Sequence, residues 1–194
     1  IAAWMSSMYY GIPLVLMSPQ RFLTRPARWL QAISQYGGTL SAAPNFAYEL
    51  CVSRISEAEM AGVDLSSWRI AANGAEAVLP ATLRAFHKRF AAHGFKGTAL
   101  SPAYGLAENC GGLTFFGPHR EPVFDRIQRG SFMSSGIAEP ATDDDHTAME
   151  FPSCGQPLPN HDIRILDATG RLCADRQEGN IEFRGPSATK GYYR

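Results

Sequence analysis

RIAANGAEAVLPATLRAFHKRFAAHGFKGTALSPAYGLAE, Arg69–Glu108, is the stretch that decides the fold. RIAA, residues 69–72, reads as a short buried strand that runs into the polar cluster NGAEA. PATLRAFHKRFAAHG then sets Leu83, Phe86 and Phe90 on one face and ends at Gly94, the pattern of an amphipathic helix with a glycine cap. TALS, residues 98–101, is the next strand, and it delivers YGLAE. A strand, a helix and a strand in this order are the repeating unit of an α/β sheet.

Upstream, the same rhythm recurs. RPARWLQAISQYGG places Pro26 near a helix start, Trp29, Leu30 and Ile33 at helical spacing, and Gly37 at the cap. TLSAA reads as a strand, Asn45 as the cap of a helix beginning FAYELC, and SEAE, residues 56–59, as a capping box. If the strands TLSAA, RIAA and TALS are parallel, APN, NGAEA and PAYGLAE all lie at the carboxyl edge of one sheet. Open α/β folds hold their ligands at that edge.

The second half changes character. Residues 115–152 mix proline, glycine, the acidic run DDDH and scattered large apolar residues, with no sustained period and no internal repeat. DIRILDATGRL and NIEFRG alternate around turn signals and read as antiparallel strands. The expected fold class is therefore α/β: a mostly parallel sheet flanked by helices, then an insertion and part of an antiparallel β unit. The corresponding divisions are an α/β subdomain over 1–114, a loop and insertion over 115–152, and a partial β-barrel-like subdomain over 153–194.

Composition narrows the function classes. Eighteen basic residues balance eighteen acidic ones, which argues against nucleic acid or a membrane surface as partner. IPLVLM, residues 12–17, is among the longest apolar runs and is far too short to span a bilayer, so a cytoplasmic protein without a membrane span is expected. Cys51, Cys110, Cys154 and Cys173 form no CxxC pair and read as reduced structural thiols. The five histidines show no zinc-ligand spacing, and DDDH reads as a solvated loop.

A nucleotide triphosphate demands a flat partner for its purine and carboxylates for the magnesium on its phosphates. Tyr104 is a candidate for the first role and Glu108, four residues on, for the second. Gly74 and Gly105 would let the backbone approach the base closely. The same residues also fit a bland reading, because NG is a common turn signal and a YG followed by glutamate arises by chance. By themselves they favour the turn.

The order of several motifs carries a resemblance. YGLAE resembles the YGxTE motif of the adenylate-forming superfamily of acyl-CoA synthetases, adenylation domains and luciferases, with Ala107 where many members have threonine. NGAEA is similar to that superfamily's adenine loop, and GNIEFRGPSATKGYYR to its strand pair ending in GY. More narrowly, VLMSPQRFLTRPARWLQAISQY, APNFAYELC, DLSSWRIAANGAEAV and YGLAE together resemble the fatty acyl-AMP ligase branch. The stretch starting VFDRIQRG corresponds to that branch's insertion.

The resemblance implies a ligase that activates a fatty acid with ATP and Mg2+, giving acyl-adenylate and pyrophosphate. The acyl group would pass to an acyl carrier protein of a polyketide or lipopeptide synthase, with CoA poorly used. Carried over by motif, Tyr104 stacks on adenine, Gly74, Ala75 and Glu76 border base and ribose with Gly105 beside them, and Glu108 holds magnesium as the catalytic carboxylate. Asn45 and Phe46 would lie near the acyl channel. The family's phosphate loop and C-terminal lysine are expected outside residues 1–194, so the isolated chain is expected to be inactive. ENCGG after YGLA departs from the usual threonine-containing continuation. A fatty acyl-CoA synthetase and a non-catalytic scaffold of the same fold are the competing readings.

Overall fold

The computed structural model describes residues 2–117 and 120–193. Helices α1 (Ala2–Tyr10), α2 (Pro19–Thr24) and α3 (Ala27–Tyr36) lead to strand β1 (Leu40–Ala43) and helix α4 (Asn45–Arg54). Strand β2 (Ile70–Asn73), helix α5 (Pro80–Phe90) and strand β3 (Leu100–Leu106) complete the α/β half. Strand β4 (Gly111–Phe115) follows at once; β5 (Phe124–Ile127), α6 (Arg129–Ser135) and β6 (Met149–Pro152) form the next segment. Short β7 (Gln156–Pro157), then β8 (Asp162–Leu166) and β9 (Asn180–Arg184), end the described chain.

The main sheet has the order β1-β2-β3-β4-β7. β1, β2 and β3 are parallel, as the sequence predicts, and their register sets Ala43 level with Asn73 and Asn73 level with Pro102. Pro44 and Gly74 therefore leave the sheet side by side, next to Ala103, where β3 continues. β4 and β7 add antiparallel strands.

This addition corrects one sequence expectation. Gly97–Ala99 is a 3-10 turn and the strand begins at Leu100, so Tyr104 and Gly105 lie on β3 itself and not on a loop beyond it. The reason is nonlocal, since pairing with β4 extends the strand through the motif.

The core is aromatic. Trp68, 1% exposed, packs edge-on against Trp29, Phe86 and Phe95, and Tyr48 sits edge-on to Trp29 and Phe86. Their polar atoms are all used: Tyr48 Oη donates to the Ala72 carbonyl at 2.9 Å, Trp68 Nε1 to Ile70 O at 2.8 Å, and Trp29 Nε1 to Ser41 Oγ at 2.9 Å. These bonds satisfy buried donors while tying the helical layer to β1 and β2. Helix starts and stops follow local chemistry: Pro80 opens α5, Gly37 closes α3 in the left-handed region at φ 59°, and the Ser56–Glu59 capping box is present. The Arg89 guanidinium donates to the carbonyls of Val52 and Ile55, capping the C-terminal end of α4.

Residues 115–152 hold more order than their lack of period suggests. β5 and β6 pair antiparallel, with α6 between them in the chain. Ile127 is 1% exposed and Phe124 packs on the main core. Arg84 of α5 makes a bidentate pair with Glu150 of β6, Nη1 to Oε2 being 2.7 Å, and its guanidinium lies 4.4 Å over the Phe124 ring. Replacing Arg84 with alanine is expected to loosen this segment from α5. Because the arginine is half exposed, the cost is about 1 kcal/mol. A lower urea midpoint for the full-length protein and faster proteolysis within residues 128–148 would register it; unchanged cleavage would not fit.

After Ser153 the chain first returns to the main sheet through β7, and only β8 and β9 form the separate antiparallel unit. The turn DATG is as expected, with Asp167 Oδ1 accepting from Thr169 N at 2.8 Å. All four cysteines are free. Among the described residues, no helix is long and apolar enough to cross a membrane.

Candidate functional site

Where β1 and β2 end beside the continuing strand β3, the chain leaves a cleft of about 530 Å³. It is lined by Pro44, Gly74, Ala75, Tyr104, Gly105 and Phe115, together with small residues such as Ala42, Ala72 and Gly112. The three junctions predicted to be neighbours are neighbours. The reason lies in the register of three parallel strands, which sets the carboxyl ends of β1 and β2 beside Pro102 of β3.

The glycines are required by the protein's own backbone. A Cβ on Gly74 would stand 2.5 Å from Ala103 O, and one on Gly105 would stand 1.8 Å from Gly111 O. Gly105 also follows a register shift between Tyr104 and Gly105 that turns β3 against β4. Close approach thus serves first to join strands, where the sequence suggested approach to a base. Ala75 holds φ at 67°, in the left-handed region, so the chain reverses sharply after Gly74.

Glu108 sits on the 3-10 turn Ala107–Asn109 that joins β3 to β4. It is half-buried, and the Tyr192 hydroxyl donates to its Oε1. That bond holds the carboxyl below the usual carboxylate range and raises the phenol above its own. Glu108 is therefore an anion at neutral pH. Among the described residues no group of three or more His, Cys, Asp or Glu side chains forms a metal cage. A lone hard oxygen donor of this kind fits magnesium, which keeps waters and shares nucleotide phosphates, and does not fit zinc.

Three predicted residues stand elsewhere. Glu76 turns back, and its Oε1 accepts from Phe46 N at 2.7 Å, so its carboxylate caps the N-terminus of α4. Asn45 makes no cap, contrary to the sequence reading, because its side chain points inward and is only 3% exposed. There it accepts from Asn73 Nδ2 at 3.2 Å and Leu79 N at 3.1 Å, and donates to Glu49 Oε1 at 3.0 Å and Thr82 Oγ1 at 3.2 Å. This buried hub joins α4, β2 and α5. Phe46 is 45% exposed beside it and does not line the cleft.

Sequence reasoning missed the partners of Glu108. Thr189 and Tyr192 lie far along the chain, and the only signal was the GYYR end of a motif, with nothing to say what it touches.

The family model for AMP-binding enzymes matches residues 1–193. The chain belongs to the AMP-binding enzyme family. Within the family it is 35% identical, over 96% of its length, to a medium-chain-fatty-acid acyl-carrier-protein ligase of Teredinibacter turnerae, of which it covers 29%. It is 40% identical, over 93% of its length, to a 4-hydroxyphenylalkanoate adenylyltransferase of Mycobacterium bovis, again covering 29% of that protein. Among solved structures, the fatty acyl-adenylate ligase from L. pneumophila in complex with acyl adenylate and pyrophosphate superposes with a TM-score of 0.92 at 35% identity. That match covers 98% of this chain and 33% of the ligase. The chain thus spans about a third of the length of the relatives it matches.

Proposed function

We propose that this chain is the adenine-side part of a fatty acyl-AMP ligase. The observation that carries the reading is the cleft itself: parallel register brings Gly74 and Ala75, just after β2, beside Tyr104–Ala107 of the YGLAE motif, with Glu108 on the turn that follows, in a chain of the AMP-binding family. In the reaction a carboxylate oxygen of the fatty acid attacks the α-phosphorus of ATP, and the bond to pyrophosphate breaks. Acyl-adenylate and pyrophosphate are the products.

Tyr104 offers its ring to the adenine, and Gly74 and Ala75 border it with main chain. Glu76 supports that border from behind by holding α4 in place. Glu108 would hold magnesium, which supplies charge neutralisation where an anion must meet a polyanion. The small residues lining the cleft leave room for the acyl end, and Asn45 and Phe46 remain the proposed neighbours of the acyl channel.

The fatty acid and the acyl carrier protein, of a polyketide or lipopeptide synthase, are the proposed partners, and the cytoplasm the proposed compartment. The relatives named for carrier-protein ligation and the acyl-adenylate complex support this reading. The chain spans about a third of the length of the ligases it resembles, so it is expected to release no pyrophosphate alone. In the full-length protein, fatty-acid-dependent pyrophosphate release with acyl transfer to carrier protein is the expected result. Rapid thioester formation with CoA would instead favour a fatty acyl-CoA synthetase, and absence of saturable acyl-adenylate-mimic binding would favour a scaffold.

A further inference from the structure

The turn that carries Glu108 is clamped by a strap from the other end of the chain. Thr189 N donates to the Glu108 carbonyl at 2.7 Å, and Ser187 Oγ donates to Asn109 Oδ1 at 3.0 Å. Asn109 is 2% exposed and its Nδ2 donates to Gly112 O at 2.8 Å, so the clamp reaches into the β3–β4 hairpin. His161 Nε2 lies 2.7 Å from Ser187 Oγ, which ties the strap to the base of β8. Tyr192 is 80% exposed, yet its hydroxyl is spent on Glu108 Oε1. Packing does not hold that ring; the hydrogen bond does.

Glu108 needs such support. The turn is short, and its chain reverses through Cys110 at φ 57° and Gly111 at φ 117° into β4. A glutamate side chain on an exposed turn otherwise samples many rotamers, and the ordering cost falls on whatever binds it. The strap orders it beforehand, fixing Oε1 on Tyr192 and leaving Oε2 outside that bond.

We propose that Tyr192 and Ser187 are positioning residues that hold Glu108 at the nucleotide rim, so that the unit built on β8 and β9 sets the cation-dependent part of nucleotide binding. The proposal rests on the adenylation reading. Tyr192 acts on the carboxylate and Ser187 on the turn beneath it.

The test is equilibrium titration of ATP into the full-length protein, with saturating Mg2+ and with EDTA. The ratio of the two affinities measures the magnesium-dependent increment, which a merely structural defect would leave alone while weakening both. Tyr192→Phe, which removes one exposed hydroxyl, is expected to cut the ratio about tenfold, the lower end of the scale for one lost hydrogen bond to a charged group. Ser187→Ala should cut it in the same direction and Ser187→Thr should restore it. In a Glu108→Ala background, where the ratio collapses towards one, Tyr192→Phe should change nothing further. An unchanged ratio in both Tyr192→Phe and Ser187→Ala, with wild type showing a clear increment, overturns the positioning role while leaving adenylation standing. Wild-type protein that binds no ATP overturns the adenylation reading and the proposal with it.

Discussion

Glu108→Ala in the full-length protein is expected to lower magnesium-dependent acyl-adenylate formation by about 10²–10³, the usual range for removing one preorganised electrostatic partner of a developing charge. On the proposed reading, the alanine would leave the phosphates' cation without its protein carboxylate. It also frees the Tyr192 hydroxyl. Glu108→Gln separates the two effects, since the amide oxygen still accepts from Tyr192 but carries no charge. If charge is what matters, both variants fall; pyrophosphate release retained by the glutamine variant would mean that the residue only shapes the turn. Burst and steady-state assays at several magnesium concentrations read the difference.

The second large effect is expected at Gly105. An alanine there places Cβ 1.8 Å from Gly111 O and 2.8 Å from Gly112 Cα, and both are backbone atoms of the paired strand. A flexible side chain could move aside, but a paired strand cannot without losing its ladder. Gly105→Ala is therefore expected to cost about 3 kcal/mol in unfolding free energy. ATP binding should fall with it, because Tyr104 and Glu108 flank the site of the clash. A variant with wild-type urea midpoint and wild-type ATP affinity would show that the close approach of β3 and β4 is dispensable.

The parts of the fold legible from sequence were those written in short-range pattern. The face made by Leu83, Phe86 and Phe90, the cap at Gly37 and the Ser56–Glu59 box all depend on spacings within one helix or turn, and all are present. The three parallel strands followed from helices alternating with short apolar runs. Residues 115–152 were harder. β5 and β6 are four residues each and bury mainly Ile127, too little apolar surface to write a period into the sequence.

The site divides in the same way. Tyr104, Gly74, Gly105 and Ala75 could be placed at one rim because strand order and direction suffice to put them there. Asn45 and Glu76 could not. Asn45 opens α4 and Glu76 lies in the bend after β2; each polar side chain has a local and a distant outlet, and local spacing does not say which wins. Packing of α4 against α5 turned Asn45 inward, and Glu76, thirty residues from Phe46, took the cap instead.

By itself, then, the sequence determined the α/β rhythm, the edge at which a ligand would sit and the residues presented there, because hydrophobic period and helix caps act within a few residues. Only the tertiary structure decided that YGL is strand, that Gly105 serves the hairpin, and that Glu108 is held by Tyr192 and a strap from the chain's far end. Those outcomes depend on backbone pairing and hydrogen bonds between segments up to 84 residues apart, which no local spacing encodes.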